Sequence, residues 1–189
     1  MKIIYNNTNK ISQFVTKSPS QMKNLVEEWS KQYGYTVTDV TSKQGKAPIE
    51  WALEIKNGQN AVIAFTSKNS DLLRFQTQIN FSPEHQQKTA SMPNVEYNEF
   101  VLNMTDRLAF LECDWNFMGD ANNPKQMNGL TMVYFVIYES ADKNTVLHFL
   151  SKAFINLSHM VRAISITLNK GGDPQGTSTQ SNTGKSMYG

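Results

Sequence analysis

Residues 130–138 read Leu-Thr-Met-Val-Tyr-Phe-Val-Ile-Tyr, and their alternation decides what kind of sheet this chain builds. Successive side chains of a strand point to opposite faces. One parity carries Val133, Phe135 and Ile137; the other carries Met132, Tyr134, Val136 and Tyr138. A half-exposed strand alternates apolar with polar, whereas this one is apolar on both sides. It is therefore expected inside a sheet, with helices over one face and some other cover over the second. The second face is assigned to Met132, Tyr134, Val136 and Tyr138, extended by Trp115 and Phe117 of the neighbouring segment. Methionine and aromatic side chains gathered in one patch are what protein-binding surfaces use. These six residues form the candidate partner-binding site. The competing expectation is that residues 1–17, or a helix of the same chain, cover that face.

Working outward, the last helix is expected over 144–169. Its apolar residues include Val146, Leu150, Phe154, Leu157, Val161 and Ile164. A helix of that span is about 39 Å long, more than one side of a small sheet needs, which leaves length for a partner or a bend near Ser158. Upstream, 113–118 is expected to pair with 130–138 across a polar loop at 119–129. Asn94 can cap a second main helix, with Tyr97, Phe100, Val101, Met104, Leu108 and Leu111 on one stripe. Ser82-Pro83-Glu84 opens a short helical turn.

The first half alternates cleanly. Leu73, Phe75, Thr77, Ile79 and Phe81 interleave with Arg74, Gln76, Gln78 and Asn80. Ile49, Trp51, Leu53 and Ile55 make another half-buried strand. Asn57-Gly58 supplies the positive-φ residues of a tight hairpin into 61–66. A short strand is expected within 35–40. Before it, Ser18, Pro19 and Gln21 mark a helix start, Met22, Leu25, Val26, Trp29 and Tyr33 make its stripe, and Gly34 stops it.

Composition bounds the class. A chain of 189 residues with 11% aromatic content suits one packed domain at 18–170. Residues 1–17 form an N-terminal arm in which Ile11, Phe14 and Val15 have helical spacing, so it can dock. Residues 171–189 are Gly, Ser, Thr, Asn and Gln rich and are expected to be mobile. One cysteine, Cys113, excludes an internal disulfide and fits a cytoplasmic setting. No apolar run reaches membrane-spanning length. Net charge is only +2, and Lys143, Lys152, Arg162 and Lys170 are too sparse for the stripe of a strong nucleic-acid binder.

Side chains that carry chemistry do not converge. His148 and His159 share a helix face but lie roughly 16 Å apart along the axis, too far to hold one metal. Glu112 and Asp114 flank Cys113 and oppose its thiolate. Glu50 and Glu54 are about 13 Å apart on a strand, too far for paired acid–base work. Gly184-Lys185-Ser186 echoes a phosphate loop, but Thr179 stands where the first glycine belongs. No catalytic, cofactor-binding or metal-binding residue is predicted.

The element order resembles the two-layer fold of type III secretion chaperones and YbjN-like proteins, and more closely an archaeal family of uncharacterised proteins with that fold. The residues that carry the resemblance are Trp29 to Gly34, Trp51, Phe81-Ser82-Pro83-Glu84-His85, Tyr97 to Leu108, and Val136-Ile137-Tyr138. It covers roughly 18–170, and the polar loop and the Ser/Thr tail depart from it. The resemblance implies a dimer that binds other polypeptides, with no catalytic residues.

The expectation is an α+β two-layer domain, with an antiparallel sheet of about five strands in the order α-β(3-4)-α-β(2)-α. Its expected role is a non-enzymatic, protein-binding or chaperone-like module, working as a homodimer through the apolar sheet face and the long last helix. The partners are a second copy and an unidentified polypeptide, with no membrane and no cofactor. A small-molecule enzyme would instead bring Cys113, His148 or His159 to a carboxylate in one cleft. A weak nucleic-acid binder would align the basic residues of the last helix with exposed aromatics.

Overall fold

The computed structural model describes residues 17–45 and 47–169. Residues 1–16 of the expected arm, and the expected tail, lie outside that range. Helix α1 (Pro19–Gln32) opens on a capping box. The Gln21 N–H donates to Ser18 Oγ at 3.3 Å, and the Ser18 N–H donates to Gln21 Oε1 at 2.8 Å. Gly34 ends the helix region at φ +92°. Four strands follow: β1 (Thr36–Asp39), β2 (Ile49–Asn57), β3 (Asn60–Ser67) and β4 (Leu72–Asn80). The β2–β3 turn is Gly58-Gln59, with Asn57 paired to Asn60. Only Gly58 has positive φ, at +61°, so the turn lies one residue later than the sequence signal placed it.

Helix α2 (Pro83–Ser91) is capped by Ser82, and α3 (Asn94–Ala109) follows. The structure places Pro93, not Asn94, at the α3 cap position, with no side-chain cap bond. Strands β5 (Asp114–Asp120) and β6 (Asn123–Ile137) form a hairpin, and α4 (Lys143–Leu168) closes the fold. The expected loop at 119–129 is largely strand. Gly119 pairs with Met127 and Asp120 with Asn123, with register shifts at both steps of β5 from Met118 to Asp120. Polar residues there face solvent while the ladder satisfies their backbone. The Asn122 N–H donates to Asp120 Oδ1 at 2.8 Å and closes the turn.

The six strands make one antiparallel sheet in the order β1-β2-β3-β4-β6-β5. β6 is thus interior, as its apolar run requires. At Gly129 a Cβ would fall 2.1 Å from the Ile79 carbonyl oxygen, so only glycine lets β4 and β6 approach there.

The helices lie over one face, called inner here. Met22, Val26, Phe100, Met104, Leu150 and Ile164 of the helices pack into one core with Leu53, Phe75, Leu130 and Met132 of the strands. Burying one such side chain fully stabilises by roughly 1.5–3 kcal/mol. α4 is continuous across β3, β4 and β6. Its buried residues run from Val146 to Leu168, so the protomer itself uses the helix along its length, and the helix does not end at Ser158.

A candidate protein-binding face on the outer side of the sheet

Met132, Tyr134, Val136 and Tyr138 are 0, 1, 8 and 7% exposed. The expected binding face is the inside of the protomer. α4 covers it, and Asn156 Nδ2 donates to Tyr134 Oη at 2.8 Å across the interface of helix and sheet. Burial raises the Tyr134 phenol above its ordinary range, and the hydrogen bond to Asn156 opposes this. Trp115 and Phe117 also point inward, opposite Met132 and Leu130. Their rings meet edge-on at 5.6 Å and remain partly buried.

The exposed parity of β6 is the other one. Phe135 is 48% and Ile137 50% exposed, with Val133 half-buried beside them. Register sets their neighbours. Leu72 pairs with Ile137, Arg74 with Phe135 and Gln76 with Val133 on β4, while Asp114 of β5 pairs with Val133 from the other side. The result is a short apolar ridge inside a polar margin, the layout of a protein interface.

The β2–β3 half of the outer face is closed. Val40, Ala52, Ile63 and Phe65 form a second small cluster there, with Ile49 against it. A 3-10 turn at 41–44 packs on β2, and the Arg74 guanidinium lies 6.0 Å from the Phe65 ring centre. Arg74 also donates to Ser70 Oγ at 3.3 Å, so its charge is turned toward Phe65 and away from the ridge. The outer face is dry at one end and open at the other.

A second concavity, of about 690 Å³, lies between α3 and the β5–β6 hairpin. Tyr97, Val101, Leu102, Phe117, Met118 and Met127 line it. Phe117 is the one residue of the expected site found there, and no histidine, cysteine or lysine is in its lining.

The sequence profile of a family described as uncharacterized conserved protein (DUF2299) matches residues 22–163. The chain belongs to the DUF2299 family. No curated protein matches it. Among solved structures, this DUF2299 chain is similar to an uncharacterized protein from the archaeon Methanothermobacter thermautotrophicus, with a TM-score of 0.66 at 12% identity. The likeness covers 76% of this chain and 96% of that one, and at this identity it concerns the fold alone.

Several titratable groups of the DUF2299 chain are held locally. The Lys152 ammonium pairs with Glu112 at 2.5 Å, and Lys143 donates to Gln32 Oε1 at 2.8 Å. Two of the four basic residues named from sequence are therefore engaged, and Lys170 lies outside the described residues. Burial is the main cause that pushes the Cys113 thiol upward, with Asp114 adding to it, which opposes nucleophilic use. Among the described residues no three His, Cys, Asp or Glu side chains come together as a metal site. Among the same residues, no helix is long and apolar enough to cross a membrane.

Proposed function

We propose that this chain is a non-enzymatic, chaperone-like protein-binding module that works in the cytoplasm as a homodimer, and that its docking surface is the outer face of β4 and β6. The observation that carries the reading is the pair Phe135 and Ile137, half-exposed on an interior strand whose other parity is dry. An interior strand usually has both faces covered when both are apolar. The similarity of element order to type III secretion chaperones and YbjN-like proteins supports a polypeptide as the ligand class. The uneven outer face supports a defined footprint, because the closed β2–β3 half confines the apolar ridge.

Sedimentation velocity from micromolar concentration upward tests the assembly. The expected result is a dimer that dissociates in Phe135→Lys and Ile137→Lys. A wild-type chain that stays monomeric throughout removes the homodimer. A dimer untouched by both substitutions removes this face as its contact. Neither substitution enters the core, so circular dichroism should be unchanged and the readout is association alone.

A further inference from the structure

The described chain begins beside the segment that leads from β6 into α4. Lys17 Nζ donates to the Ala141 carbonyl at 2.6 Å. Ala141 is four residues past Ile137, so their Cα atoms are at most about 15 Å apart. Lys17 is therefore within chain reach of the exposed end of β6. Fully extended, residues 1–16 span roughly 53 Å, far more than the distance to Ile137 and Phe135.

Their composition matches what the ridge lacks. The segment carries Ile3, Ile4, Tyr5, Ile11, Phe14 and Val15, and its charged residues are Lys2 and Lys10, with no carboxylate. The margin of the ridge carries two exposed carboxylates besides Arg74. Glu139 follows Tyr138 at the end of β6, and Asp114 stands opposite Val133. Neither has an ion-pair partner among the described residues. Apolar side chains with lysines on one partner face an apolar ridge with carboxylates on the other.

We infer that residues 1–16 of the same chain dock on the Phe135–Ile137 ridge and compete there with a partner. The inference rests on the reading of that ridge as a docking surface and adds its control. Tethering favours the arm, because a segment attached close by meets its site at millimolar effective concentration, on the order of 1 mM for a short link. A partner must displace it, so its apparent affinity falls by the fraction of time the ridge is free.

The test uses the full chain with a nitroxide on Ser12→Cys in a Cys113→Ser background. Its amide spectrum is first matched to wild type. Selective broadening of the Phe135 and Ile137 signals is expected, with the β2–β3 half of the sheet spared. Mixing nitroxide-bearing chain with isotope-labelled, nitroxide-free chain separates the occupants. Broadening only within one chain supports the inference; broadening across chains assigns the ridge to a second copy and overturns it, as does no broadening at all. The second arm is Ile11→Ser with Phe14→Ser in the full chain, with its urea midpoint first matched to wild type. If the arm covers the ridge nine-tenths of the time on each protomer, ridge-to-ridge self-association should tighten about a hundredfold, and unchanged association overturns the competition. Loss of broadening with a Phe135-dependent dimer intact would sink the arm and leave the docking surface. Broadening without any self-association would do the reverse.

Discussion

The two parities of β6 carry nearly the same chemistry and meet opposite fates. Met132, Tyr134 and Val136 are dry beneath α4, while Phe135 and Ile137 stand half-open. Hydrophobicity within the strand does not separate them. Their neighbours do. Inner positions lie beside Leu73, Phe75, Trp115 and Phe117, with Thr77 the one polar neighbour; outer positions lie beside Arg74, Gln76, Asp114 and Asn116, with Leu72 the one apolar neighbour. A face is decided by the parity that adjacent strands share, because paired residues in an antiparallel ladder point the same way.

Substitutions at the two parities should therefore separate stability from association. The largest expected effect is Met132→Ala. The side chain is fully buried, so the loss is about 2–5 kcal/mol, read as a lower urea midpoint. A cost below about 1 kcal/mol would mean the inner face is not the core. Tyr134→Phe comes next. It removes the oxygen that accepts from Asn156 and leaves a buried amide unpartnered, for a loss of about 1–3 kcal/mol by the same measurement.

Phe135→Ser should move stability by no more than about 0.5 kcal/mol while abolishing the dimer in sedimentation. An outer substitution that unfolds the protein as Met132→Ala does would erase the contrast.

The smallest effect belongs to a site on neither parity. Asp39 on β1 accepts hydrogen bonds from the Lys23 ammonium and from Thr41, and these, the lysine first, hold its carboxyl down at about 2. The folded value lies below the unfolded one of 3.8, so this contribution is full above about pH 4. It is lost as pH falls toward 2. Asp39→Asn should lower the urea midpoint slightly at pH 7, where the contribution is full, and converge on wild type as pH falls toward 2. The pair is half-exposed, so solvent screening keeps the change small.

Much of the fold was legible because local signals were unambiguous. Ser18, Pro19 and Gln21 specified a helix start that the capping box realises. The alternation from Leu73 to Phe81 specified a strand with the buried parity it has. The apolar run at 130–138 placed β6 inside the sheet. The site was not legible from that run, since both its parities are apolar and pairing partners were needed to choose. The signal lay in Trp115 and Phe117. They mark the side where apolar parities collect, which is the core, and Asp114 and Asn116 mark the solvent side. The polar segment at 119–129 misled for a related reason: a hairpin near a sheet edge can expose both faces, so polarity there does not exclude a ladder. The length of α4 reads as surplus only until its own burial is known, which runs from Val146 to Leu168.

The shifts of register near Gly119 carry a last consequence. β5 is the final strand of the sheet, and such a rim offers unpaired amides and carbonyls to any neighbouring chain. Two irregular steps twist this rim away from the flat geometry that stacking into fibres requires. A protein that leaves phenylalanine and isoleucine open to solvent thus carries an irregular stretch on its nearest border, a feature that disfavours strand-to-strand polymerisation there.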